Sequence, residues 1–95
     1  MEKLDIILKA LDDKIAENVV SIDLKGKSSI AEYFVIATGS AVNHNQAICD
    51  EIEFQLKKNN MDCLSTEGYK DGNWILLDCG EIVVHIMTKD YRSYY

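Results

Sequence analysis

Apolar side chains recur in steps of three and four near the start of the chain, at Leu4, Ile7, Leu8, Leu11 and Ile15. That period puts them on one face of a helix over residues 3–17, with Lys9, Asp12, Asp13 and Lys14 largely off it. Asn18 allows a break. The pattern then changes. Val19-Val20-Ser21-Ile22-Asp23-Leu24 is β-rich and partly alternating, which predicts a strand. Lys25-Gly26-Lys27-Ser28-Ser29 is a polar loop marked by its glycine. Tyr33-Phe34-Val35-Ile36-Ala37-Thr38 is short and apolar, a strand for the centre of a sheet, and it ends at Gly39-Ser40.

Helical spacing returns with Ile48, Cys49, Ile52 and Leu56, the buried stripe of a helix over 43–60. Asn43 is the expected N-cap, with Gln46 at capping-box spacing. Lys57 and Lys58 suit the negative end of the helix dipole, and Asn59-Asn60 ends the helix. Phe54 lies roughly opposite the stripe, as a scattered surface residue or as part of a contact with another chain. Met61 to Thr66 predicts a short, weaker strand, and residues 67–73, with Gly68 and Gly72, a loop.

The strongest β signal follows. Trp74-Ile75-Leu76-Leu77-Asp78 is one strand, Cys79-Gly80 the tight turn, and Glu81 to Met87 the next strand. Gly80 supplies the positive φ that such a turn needs. Both strands are almost continuously apolar, which predicts burial on both faces. Thr88 is the expected N-cap of a last helix that runs towards Tyr95. The order α-β-β-α-β-β-β-α predicts an α/β (α+β) domain over 1–95, a single-layer mixed five-stranded sheet flanked by helices. Strand 33–38, helix 43–60 and strand 62–66 would form one right-handed crossover.

Composition narrows the function. The chain has 95 residues, one domain's worth, and at 47% hydrophobic and 27% charged it reads as an ordinary soluble globular protein. A net charge of -6 disfavours gripping bare phosphate backbone and permits a basic protein partner. No apolar run reaches the roughly 18 residues of a membrane span, and no leader is evident. Cys49, Cys63 and Cys79 lack CxxC spacing, which fits free thiols in a reducing cytoplasm.

The candidate chemistry is sparse. Gly39-Ser40 joins a strand to a helix, a place where phosphate is sometimes held, but GxGxxG and a Walker lysine are absent. Nucleotidyltransferase chemistry needs paired carboxylates, usually Asp-x-Asp, to hold two metal ions. The following strands offer Asp62 alone, then Asp78 with Glu81 beyond the turn. His44 and His85 are outside any Cys/His cluster of zinc spacing, and each reads best as a hydrogen-bonded or core histidine. Cys79, in the turn, is expected to be accessible, and Cys49 to be core. No catalytic residue, metal site or cofactor is assigned. Trp74 is the stronger feature. A tryptophan opening a strand beside a glycine-containing loop is a candidate interface anchor. Asp78, Gly80 and Glu81 would add a negative flank suited to a basic protein.

Several stretches together resemble the ribosomal silencing factor family, also called RsfS or Iojap-like. They are Val19 to Leu24; Ser28 to Gly39; His44 and Ala47; Glu67-Gly68; Trp74 to Ile86, with its tryptophan, Asp-x-Gly-Glu turn and Val-His pair; and Arg92-Ser93-Tyr94-Tyr95. The resemblance covers nearly the whole chain. It implies a nucleotidyltransferase-like fold without catalysis. It also implies binding to a basic protein of the large ribosomal subunit, the fourteenth in that subunit's naming, which blocks small-subunit joining and represses translation. Homodimers and a cytoplasmic location are implied as well. Direct nucleic-acid or membrane binding is not expected. Transferred by position, the partner-binding residues are Trp74, Leu76, Asp78, Gly80 and Glu81. The alternative is a degenerate nucleotidyltransferase-like nucleotide-binding protein or enzyme using Gly39-Ser40. The sequence departs from the family in four places. Asn43 stands where an Arg or similar residue is usual, Phe54 where a polar residue is common, Cys79 occupies the variable turn site, and the chain stops at Tyr95, before the family's usual final segment, which suggests either a truncated tail or a short member.

Overall fold

A computed structural model describes residues 2–27 and 31–94. Ser28 and Ser29 of the expected polar loop, and Tyr95 at the end of the expected last helix, lie outside them. The elements are α1 (Lys3–Asp13), β1 (Glu17–Asp23), β2 (Tyr33–Gly39), α2 (Val42–Lys58), β3 (Ser65–Glu67), β4 (Trp74–Asp78), β5 (Ile82–Thr88) and α3 (Lys89–Tyr94). The five strands form one mixed sheet in the order β1-β2-β5-β4-β3. Only β2 and β5 pair in parallel; the other neighbours are antiparallel.

α1 and α2 pack on each other and on one face of the sheet. Ile6, Ile7, Ala10 and Leu11 of α1 and Ile48, Cys49, Ile52 and Leu56 of α2 meet Val35, Ala37, Ile75, Leu77, Val84 and Ile86 in one core. The α2 stripe is as the helical period requires. Each fully buried Ile or Leu contributes about 1.5–3 kcal/mol of transfer free energy, so this layer dominates stability. Among the described residues, no helix is long and apolar enough to cross a membrane.

Four sequence expectations change. α1 ends at Asp13, and its expected fifth apolar position, Ile15, is 77% exposed with φ 59°. The chain reverses at that residue, so the apolar period outlasts the helix. α2 begins one residue early, capped by Ala41 without a side-chain bond, and Gln46 Nε2 donates to the Tyr69 carbonyl instead of closing a capping box. Residues 61–64 are irregular and β3 keeps three residues at the sheet edge. It runs parallel to β2 but β5 and β4 lie between them, so the crossover spans the sheet instead of joining neighbours. Thr88 precedes α3, but its buried hydroxyl has no hydrogen-bond partner among the described residues, so it is not a side-chain cap.

The β4–β5 turn is shifted by one residue from the expected Cys79-Gly80. The Cys79 N–H donates to the Ile82 carbonyl at 2.8 Å, leaving Gly80-Glu81 as the two-residue loop. Gly80 has φ 83°, the positive value at the first loop position. Cys79, expected to be accessible, is fully buried, because residues 75, 77 and 79 all point to the helix side.

Candidate protein-binding face

Successive strand residues point to opposite faces. With Val35, Ala37, Ile75, Leu77, Val84 and Ile86 under the helices, the alternate positions form the other face. On β4 these are Trp74, Leu76 and Asp78; on β5, Val83, His85 and Met87; on β2, Phe34, Ile36 and Thr38; on β1, Val20 and Ile22. Register aligns them in rows. Ile22, Phe34, Val83 and Asp78 lie side by side, as do Val20, Ile36, His85 and Leu76. α3 covers only the end of this face. It packs on β5 and β2, where Met87 and Thr38 are buried. Arg92 holds it there, donating to Thr38 Oγ1 at 2.8 Å and to the Asn18 carbonyl at 2.9 Å. Among the described residues, no helix covers the rest of the face, and Val20 and Ile22 are 43% and 38% exposed. The apolar strands are therefore apolar on both sides for two reasons, the helix core beneath and an open apolar face above. Two-sided burial, the reading from sequence, holds for only one side.

An aromatic cluster sits in the middle. The Phe34 ring meets the edge of the His85 ring at 5.2 Å between centroids, and the Trp74 ring lies 6.1 Å from it. Trp74 and His85 are also hydrogen-bonded. His85 Nε2 is buried without a partner among the described residues, and burial holds the ring below the ordinary imidazole pKa.

The five residues singled out from sequence divide. Trp74, Leu76 and Asp78 share the open face and are half-buried. Gly80 sits at the turn, where its N–H donates to Asp78 Oδ1 at 3.1 Å and orients that carboxylate. Glu81 turns the other way. Its carboxylate lies 3.4 Å from the Lys3 ammonium of α1, which also donates to the Cys79 carbonyl at 2.9 Å. Exposed Glu67, opposite Leu76 in the ladder, adds an acid to the open face at its β3 edge. Sequence reasoning missed Val20, Ile22, Phe34, Ile36, Val83 and His85 as members of this face. Strand alternation was the available signal, but it does not say which face a helix covers.

The Gly39-Ser40 turn is arranged differently from a phosphate cradle. The Ser40 N–H donates to His44 Nδ1 at 2.8 Å, and Ser40 Oγ lies 3.0 Å from the same nitrogen. His44 Nε2 in turn lies 2.7 Å from the Lys14 carbonyl. The histidine thus fastens the start of α2 to the end of α1, and the N–H an anion would want is already used. Among the described residues, no three His, Cys, Asp or Glu side chains are grouped to hold a metal ion.

The family described as ribosomal silencing factor during starvation matches residues 1–95. A ribosomal silencing factor RsfS of Bacillus subtilis is 41% identical over 92 residues, covering 97% of this chain and 78% of that protein. A crystal structure of a Chromobacterium violaceum protein superimposes with a TM-score of 0.93 at 30% identity, over all of this chain and 82% of the other. One from Bacillus halodurans gives 0.89 at 37% identity, over 97% and 86%.

Proposed function

The chain belongs to the ribosomal silencing factor family, and from that premise we propose that it acts by docking, with its open sheet face on the large ribosomal subunit. The carrying observation is the face itself. Trp74, Leu76, Phe34, Ile36, Val83, Val20 and Ile22 form an apolar surface that no helix covers among the described residues, bordered by Asp78 and Glu67. A partner fitted to it has an apolar patch ringed by lysine or arginine. The partner in this reading is the basic fourteenth protein of the large subunit, where the small subunit docks. Occupying it keeps the subunits apart by bulk and represses translation, with no bond made or broken and no nucleic acid gripped. Trp74 is the anchor, since buried aromatic residues dominate interface energies. Asp78 steers the partner's cations, and such exposed charges affect association rate more than affinity. Glu81, paired to Lys3, contributes at the rim only if that pair opens. Homodimerisation and a cytoplasmic location belong to the same reading.

The test is subunit joining. Purified chain is added to isolated large subunits before small subunits, and the mixture is resolved on a sucrose gradient. The expected result is co-sedimentation with the large subunit and loss of joined ribosomes. Undiminished joining at saturating chain overturns the proposal.

A further inference from the structure

Cys63 and Cys79 stand on neighbouring backbones. The Leu64 N–H donates to the Asp78 carbonyl at 2.6 Å, and Ser65 pairs with Asp78, so the approach to β3 is held alongside the end of β4. Cys79 is fully buried, while Cys63 is half-buried and packs against the same core. The neighbouring Cys79 thiol holds Cys63 below the usual thiol pKa, while Cys63 and burial push Cys79 up. The Lys3 ammonium favours the Cys63 thiolate too, while burial, Glu53 and Asp62 oppose it. The third thiol, Cys49, is buried in α2, with burial and Glu53 pushing it up. A reachable sulfur beside a buried second thiol is the arrangement of a peroxide-reactive cysteine with its resolving partner.

We propose that Cys63 and Cys79 are a reversible oxidative modification site for small hydroperoxides, Cys63 as the attacking sulfur and Cys79 as the resolving one. The Cys63 thiolate attacks the terminal peroxide oxygen and the O–O bond breaks. The departing alkoxide takes a proton from solvent and leaves as alcohol, or as water when the oxidant is hydrogen peroxide. Cys63 is then a sulfenic acid. The Cys79 sulfur attacks the sulfenic sulfur, the S–S bond forms and the S–O bond breaks. The leaving hydroxide takes the Cys79 proton and departs as water. The two thiols lose two electrons, and the peroxide gains them. A small dithiol reverses the bond by exchange. The inference stands apart from the docking proposal, because it rests only on the thiol pair.

The test treats the folded full chain with hydrogen peroxide, blocks remaining thiols with iodoacetamide, and maps peptides by mass spectrometry without reductant. The expected product is a peptide carrying Cys63 joined to one carrying Cys79, lighter by two hydrogens and released by dithiothreitol. Before oxidation, Cys63 should alkylate about tenfold faster than Cys49 or Cys79, or more. In Cys79→Ala, dimedone should trap a sulfenic acid at Cys63. Cys63→Ser, altered only at the half-buried position, should give no intrachain link. Peroxide-treated protein whose Cys63 is unmodified, or is driven to sulfinic acid without the link, overturns the proposal. So does a Cys49–Cys79 link in Cys63→Ser.

Discussion

The Trp74 indole N–H donates to His85 Nδ1 at 3.2 Å. An indole N–H only donates, so Nδ1 must be the unprotonated ring nitrogen, and the neutral imidazole carries its hydrogen on Nε2. Protonating His85 would set a second N–H against the indole. The bond therefore acts in the same direction as burial, and both keep the ring uncharged.

Stability should follow from that. His85 titrates below the ordinary value of 6.5 in the folded chain because of burial. As pH falls, the unfolded chain takes up the proton first, so the contribution is complete above about 6.5 and is lost as pH falls through the depressed folded value. Urea midpoints measured from about pH 7.5 to about pH 5.5 should fall further for the native chain than for His85→Gln. Parallel profiles for the two proteins would rule the effect out.

Trp74→Ala should weaken binding to large subunits by about tenfold or more, near 1.4 kcal/mol, with far-UV dichroism unchanged. Trp74→Phe keeps an apolar ring and loses the N–H, so it should bind more tightly than the alanine variant. Pelleting with purified subunits measures both. Equal affinity of a folded Trp74→Ala would remove the anchor.

Salt offers an independent check on the acids. Association with the large subunit should slow as ionic strength rises, because exposed charges more than about 8–10 Å apart are screened near physiological salt. Stopped-flow rates should show the slope, and Asp78→Asn should flatten it. A slope unchanged in Asp78→Asn would shift the steering to other acids.

Gly39 has no space for a side chain. A Cβ there would overlap the Asn45 amide oxygen, and Asn45 is fully buried with its Nδ2 donating to the Gly72 carbonyl at 2.7 Å. Gly39→Ala should therefore cost about 1–3 kcal/mol through overpacking. Urea unfolding decides it, and a neutral result would mean that the β2–α2 turn yields freely.

The elements were largely readable from periodicity, and α2 shows why. Its stripe of Ile48, Cys49, Ile52 and Leu56 faces a single core, so one period carries one meaning. Ile15 failed because sequence spacing continues through a chain reversal that only the backbone reveals. The turn slipped by one because Cys79 is as apolar as a strand needs, and the ladder places it in the pairing. The open face was the hardest to see. Phe34, Ile36, Leu76 and Val83 are what a second core layer would contain, and a surface kept for a partner has the same composition as one buried by the chain itself. Trp74 and Asp78 were legible because they are unusual at their positions; their neighbours were not.

β5 fills the central slot beside β2, yet it is synthesised half a chain later. Until residues 82–88 exist, β2 has β1 on one side and nothing on the other, and β4 has no route to the rest of the sheet. Folding is thus weighted towards distant pairings, which are slow to form. A nascent chain on the ribosome would hold an incomplete sheet until β5 cleared the exit tunnel. The open sheet face, which needs β1, β2, β5 and β4 in register, would come into being only after residues 82–88 have been made.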